Sequence, residues 1–189
     1  PLIRKTQKLG FEIRTFDIGG GLASATSREM TTREMLMYQA FERLPSGVSS
    51  NPDLTFETFG QAVTRGFLSL FNLGELPELL VEPGRSIASS NQLLLLRAHQ
   101  IKKRKGVKKW LITDGGIGTV AMPVYYEYHE VFLCNDTRRL RSEKVDIIGP
   151  GCFASDIVYL NKNMPQVKAG EILAVMDSGA YFTAWESSF

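Results

Sequence analysis

Glu82-Pro83-Gly84-Arg85 places a carboxylate and a guanidinium three residues apart, just past the apolar triplet Leu79-Leu80-Val81. An arginine matches a phosphate or carboxylate with two parallel hydrogen bonds, and a carboxylate can hold a proton on a heterocyclic nitrogen. Past a buried strand the two would sit where α/β folds collect their active sites; an internal ion pair closing a loop is the plainer reading. Gly19-Gly20-Gly21 follows Asp17-Ile18. Such a triplet lets the backbone approach an oxyanion and turn its N–H groups toward it, or simply makes a tight turn. It is neither GxGxxG nor a P-loop. Cys152 lies in Gly149-Pro150-Gly151-Cys152-Phe153-Ala154-Ser155-Asp156. On such a turn a thiol is either an exposed reactive group or a small buried hydrophobe. Asp177-Ser178-Gly179-Ala180-Tyr181 carries a phenol past another strand end, or a turn aspartate and a core tyrosine. His99 and His129 stand alone, with no HxxxH or HExxH, so the sequence makes no metal site. His129 reads as a partly buried strand residue.

These groups need elements to hold them, and the sequence supplies two kinds. Phe11–Phe16 alternates at period two into the glycine turn. Thr31 or Thr32 can cap a helix carrying Met35, Leu36, Tyr38, Phe41 and Leu44, with Glu34 placed for a capping box. Thr55 to Asn72 reads as a second amphipathic helix, and Leu79-Leu80-Val81 as a short buried strand. Strand, helix, helix, strand is an α/β pattern, with the strands parallel. From Asn91 onward the segments are β-rich and closely spaced: 92–100, 109–113, 127–133, 144–148, 156–160 and 171–176. Turn signals separate them, as in an antiparallel sheet or barrel. The predicted boundary falls near residue 88.

Composition removes several classes. The 189 residues are 43% hydrophobic and 22% charged, which is globular composition. A formal charge of +2 does not argue for nucleic-acid binding. The basic run Lys102-Lys103-Arg104-Lys105 around Gly106 reads as a solvated hairpin tip. No apolar run approaches the roughly 18 residues of a membrane span. Two cysteines make no disulfide framework, so a reduced, cytoplasmic setting is expected. The chain starts without Met and stops at Phe189, and both ends read as cut.

Taken in order, Asp17-Ile18-Gly19-Gly20-Gly21, Glu82-Pro83-Gly84-Arg85, Gly149-Pro150-Gly151-Cys152 with Asp156, and Asp177-Ser178-Gly179-Ala180-Tyr181 resemble the fold-type III pyridoxal-phosphate decarboxylases. That group includes the diaminopimelate, ornithine and arginine decarboxylases. Leu111-Ile112-Thr113-Asp114-Gly115-Gly116 and Lys168-Ala169-Gly170-Glu171 add to the likeness. The resemblance implies an α/β-plus-β fold: residues 1–87 as the remainder of a (β/α)8 barrel, and 88–189 as a C-terminal β-sandwich or barrel domain, incomplete at its end. It implies pyridoxal 5'-phosphate as cofactor and loss of an amino acid's α-carboxylate through an external aldimine. Gly19, Gly20 and Gly21 would hold the cofactor phosphate and Tyr181 would hydrogen-bond it. Gly84 and Arg85 would also bind the cofactor, and Glu82 would pair with the pyridine nitrogen. Arg85, Tyr126 and Asp156 would meet the substrate. Cys152 would donate a proton in a neighbouring subunit's site, which implies a homodimer.

The departures from the family pattern are specific. The family's Schiff-base lysine and the histidine that stacks on the cofactor lie upstream of the glycine triplet, so a fragment of a longer decarboxylase is expected. Diaminopimelate decarboxylases carry Cys-Glu where this chain has Cys152-Phe153, and an Arg before the Pro where it has Met122-Pro123. Phe cannot pair with an ammonium, and a missing Arg removes a clamp for a distal carboxylate. A different substrate, less charged at its distal end, is therefore expected. Tyr125 and Tyr126 both match the family tyrosine. The alternative function is that of a lysine-free relative that binds or regulates a decarboxylase partner.

Overall fold

The computed structural model describes residues 2–22, 24, 27–45, 55–120 and 126–187. In chain order the elements begin with α1 (Leu2–Lys8), β1 (Thr15–Asp17), β2 (Arg28–Glu29), α2 (Thr32–Phe41), α3 (Phe56–Leu68) and β3 (Glu78–Leu80). There follow α4 (Arg85–Ala88), β4 (Leu94–Arg104), β5 (Lys108–Thr113), α5 (Ile117–Val120) and β6 (Glu127–Tyr128). The last are β7 (Val131–Leu133), β8 (Arg141–Ile148), β9 (Ile157–Pro165) and β10 (Ile172–Val175). The chain divides into two compact units, one of residues 1–25 with 50–87, the other of 26–49 with 88–189.

In the first unit β1 and β3 pair in parallel, Thr15 opposite Glu78 and Asp17 opposite Leu80. The expected strand over 11–16 shortens to Thr15–Asp17. Phe16 of β1 packs on Phe67 of α3 and on Phe71, with ring centroids 5.8 and 6.0 Å apart. Thr55 caps α3: its hydroxyl accepts the Thr58 N–H and its own N–H donates back to the Thr58 hydroxyl, both at 3.1 Å. The helix ends at Leu68 rather than Asn72, because the Ser69 hydroxyl turns back onto the Gly66 carbonyl at 2.7 Å and competes with the backbone ladder.

The second unit is built on a six-stranded sheet in the order β7-β10-β4-β5-β8-β9. All neighbours are antiparallel except β5 and β8, which run parallel. Side chains that alternate inward from several strands, among them Leu96, Leu111, Ile147, Val158, Met164 and Leu173, form its core. The basic run 102–105 lies at the exposed β4–β5 hairpin tip. The single strand expected over 127–133 is two, since the His129 N–H donates to the Tyr159 hydroxyl at 2.8 Å instead of to a neighbouring strand.

Residues 26–49, expected in the first piece, belong to the second unit. There β2 pairs with β6, and α2 is fixed at its end nearest the sheet by side chains. The Tyr38 hydroxyl accepts the Leu160 N–H at 2.8 Å, and Glu42 makes an ion pair with Lys108. Thr31 and Glu34 form the expected capping box, with the Thr31 N–H donating to Glu34 at 2.9 Å. Among the described residues no helix is long and apolar enough to cross a membrane.

Candidate functional site

The parallel pairing of β1 and β3 brings the glycine triplet and the Glu82–Arg85 segment to one edge. Past the strands the ladder continues, with the Ile18 N–H donating to Leu80 O at 3.1 Å and the Glu82 N–H to Gly19 O at 2.8 Å. Gly20 is the tightest point. A Cβ there would stand 2.7 Å from the Glu82 carbonyl oxygen, closer than real side chains come, so the approach needs a glycine. Gly19 and Gly21 on either side have positive φ, 70° and 91°. The Gly19 N–H donates to Asp17 Oδ1 at 2.7 Å. Gly19 thereby braces its own turn. The N–H groups of Gly20 and Gly21 have no partner among the described residues. Bare backbone N–H groups at the C-terminal edge of parallel strands, with half-buried Arg85 opening α4 and exposed Glu82 nearby, suit a phosphorylated heterocycle.

In the second unit, Cys152 stands exposed on the loop that joins β8 to β9. Asp156 shapes that loop. Its Oδ1 accepts the Ile117 N–H at 2.7 Å and its Oδ2 the Gly151 N–H at 2.5 Å. The Gly149 N–H donates to Asp156 O at 2.9 Å. A Cβ on Gly149 would collide with both carboxylate oxygens, so only glycine lets the carboxylate in. Asp156 is only 6% exposed, and both of its oxygens are engaged by the chain itself. Asp156, expected as a substrate contact, braces the cysteine loop against the start of α5. Phe153, half exposed, lines a cleft of ≈ 690 Å³ together with Ile117, Thr119 and Pro150.

Tyr181 follows β10 in the left-handed region, at φ 64°. An aromatic residue there is strained, and such strain gathers at functional positions. Its ring meets Trp185 edge-on at 6.4 Å, while the next residue, Phe182, is buried. The turn before it is pinned by Ser178, whose hydroxyl donates to Val175 O at 2.8 Å and accepts the Leu94 N–H at 3.2 Å. Tyr126 is half-buried, and its carbonyl accepts the Met30 N–H at 2.6 Å. Tyr125, Met122 and Pro123 lie outside the described residues.

A buried polar group of side chains went unread in the sequence. His129 is 1% exposed, not partly buried. Its Nε2 lies 3.0 Å from Glu127 and its Nδ1 2.9 Å from Met176 O. Lys162, also 1% exposed, donates to His129 O at 2.9 Å, with its ammonium 3.9 Å from the Tyr128 ring centroid and 4.7 Å from that of Tyr159. Burial pushes the Lys162 ammonium down to about 8. Burial alone would raise Glu130, but the Tyr128 hydroxyl, Lys162 and Arg141 hold it below the usual carboxylate range. The available signal was period two: Glu127 with His129, and Lys162 with Met164, occupy alternate positions that face inward.

Residues 86–179 match the family model for the C-terminal sheet domain of the pyridoxal-dependent decarboxylases. The chain belongs to the fold-type III pyridoxal-dependent decarboxylases. It is 29% identical over 194 residues to a diaminopimelate decarboxylase of Methanocaldococcus jannaschii, covering 96% of this chain and 38% of that protein. It is 28% identical over 184 residues to that of Archaeoglobus fulgidus, covering 97% and 38%. The crystal structure of the Methanocaldococcus jannaschii enzyme superposes with a TM-score of 0.72 at 27% identity, over 98% of this chain and 38% of that one. A lysine decarboxylase of Selenomonas ruminantium, at 18% identity and a TM-score of 0.68, shares the fold. The chain thus spans well under half the length of the relatives it matches. The matched residues include the β-rich stretch that carries Cys152, and β1 and β3 precede them in sequence.

Proposed function

We propose that this chain contributes part of the active site of a pyridoxal 5'-phosphate-dependent amino-acid decarboxylase. The observation that carries the reading is the shared edge of β1 and β3, where the backbone of Gly20 and Gly21 lies uncovered within reach of the Glu82–Arg85 segment. Family membership of residues 86–179 supports it. When bound, the cofactor supplies an electron sink for the pair left on the α-carbon as carbon dioxide departs.

The residues of this chain then have separate tasks. Gly20 and Gly21 donate backbone N–H groups to the phosphate, and Gly84 leaves room for it. Arg85 adds charge to the phosphate or holds the substrate's α-carboxylate. Glu82 would accept a hydrogen bond from the pyridine nitrogen and so keep that nitrogen protonated. The Tyr181 hydroxyl donates to the phosphate, its backbone strain fixing the ring's direction. Cys152 returns a proton to the α-carbon in the site of a second copy of the chain, which makes the working enzyme a homodimer. Tyr126 contacts the substrate.

Phe153 directs the choice of substrate toward an amino acid or amino-acid conjugate less charged at its distal end than diaminopimelate. The test is carbon dioxide release by the full-length polypeptide over a panel of amino acids, with and without pyridoxal phosphate. Cofactor-dependent release is expected, fastest on a substrate with a neutral or apolar distal end, and lowered at least a hundredfold in Glu82→Gln. Release that is fastest on diaminopimelate would overturn the substrate assignment, and no release on any amino acid would overturn the activity.

A further inference from the structure

The open end of the β8–β9 hairpin holds a second concavity, which the decarboxylase reading does not use. A cleft of ≈ 660 Å³ runs between the end of α2 and strands β8 and β9, and four cations line it: Arg43, Arg141, Lys144 and Lys162. In the hairpin register Lys144 faces Asn163, whereas the cysteine loop begins past Ile148 and Ile157. At about 3.3 Å per residue the cleft is roughly 13 Å along the strand from that loop.

Its charge is not balanced from within. Glu42 lines it too, but is held by Lys108. Arg141 shares Glu130 at 3.2 Å. Arg43 and Lys144 have no carboxylate partner among the described residues. Lys162 sits buried with its ammonium fixed on His129 O and no carboxylate in ion-pair contact among the described residues. Cations gathered in a concave, low-dielectric wall focus a positive field into it. The facing wall is different in kind, with Phe41 and Leu44 from the end of α2 presenting apolar surface; Phe41 is 70% exposed. Arg43 and Lys144, the two cations without a carboxylate among the described residues, match the nearly two negative charges of a phosphate monoester. The Arg43 guanidinium fork matches its oxygens.

We propose that this cleft binds a phosphate monoester with an apolar body, at a site separate from that of the cofactor. The test is calorimetric titration of the full-length protein, saturated beforehand with pyridoxal phosphate, using phenyl phosphate as probe and phenol as comparison. Phenyl phosphate is expected to fill one further site per subunit, more weakly as salt rises, while phenol does not bind. The double variant Arg43→Gln/Lys144→Gln should weaken phenyl phosphate by roughly tenfold for each charge-assisted hydrogen bond removed, with the unfolding midpoint unchanged. No saturable binding beyond the cofactor would overturn the proposal, as would equal affinity in the double variant.

Discussion

Glu127 and His129 form a buried polar pair inside the sheet domain. Glu127 Oε2 and His129 Nε2 are 3.0 Å apart, with both side chains no more than 2% exposed. The ring's Nδ1 lies 2.9 Å from Met176 O, and a carbonyl only accepts, so Nδ1 carries a hydrogen. The Tyr159 hydroxyl closes the group, accepting from the His129 N–H and donating to Glu127 O at 3.3 Å.

Removing one partner of so buried a pair leaves the other without compensation. Glu127→Ala is expected to cost about 3–5 kcal/mol in urea unfolding. Glu127→Gln, which can still donate an N–H to a neutral ring, should cost about 1 kcal/mol. Equal losses in the two variants would mean that volume, and not the Glu127–His129 hydrogen bond, holds this part of the sheet together.

Lys162 predicts a pH dependence. Burial lowers its folded value to about 8 from the ordinary 10.5, so between these limits the unfolded chain binds more protons than the folded one. Stability from this residue consequently rises as pH climbs from about 8 to 10.5, by up to about 3 kcal/mol. The penalty of the buried charge is fully present below pH 8. Measured against Lys162→Met, the wild-type protein should gain relative stability across that window. A difference that stays flat from pH 7.5 to 10.5 would remove the assignment.

Asp156 predicts a change in reactivity at a distance from the substituted atom. Asp156→Asn keeps the shape but can accept only one of the two backbone N–H groups from Ile117 and Gly151. The expected cost is about 1–3 kcal/mol. The Cys152 loop should loosen, so that a thiol reagent labels Cys152 faster while cofactor affinity stays the same. Unchanged labelling would show that the loop is held by other interactions.

Gly20→Ala is expected to weaken pyridoxal phosphate binding at least tenfold, read from the cofactor's absorbance in a titration. The added methyl would press on the Glu82 carbonyl at 2.7 Å and part the two loops. The unfolding of the sheet domain should not change. Gly60→Ala, on α3 with open space at its Cβ position, serves as the comparison and should leave binding intact.

The α/β-then-β order, the capping box of Thr31 and Glu34, and the parallel relation of the two barrel strands were legible because each rests on local pattern: period, cap chemistry and turn residues. The glycine triplet and Glu82 were legible as separate loops; their meeting depends on strand pairing over more than 60 residues, which no local spacing encodes. Asp156 was legible only as a carboxylate four residues from a cysteine on a turn, and its bracing role was not. Its real partners, Ile117 and Gly151, include one nearly 40 residues away. Lys162 was missed, and His129 was read as only partly buried, since burial of a polar residue is decided by neighbours from other strands. The same holds for α2, whose own amphipathic pattern does not say which surface it covers.

The placement of α2 bears on how the sheet domain can be taken out of the protein. A piece cut at residue 86, where the family match begins, would lose both β2 and α2. The Leu160 N–H would lose the Tyr38 hydroxyl, Lys108 would keep Asp146 but lose Glu42, and β6 would be left without a strand beside it. The domain as folded is therefore discontinuous in the chain. It can be excised whole only if residues 26–49 are carried along, for instance by a circular permutation that joins them to its end.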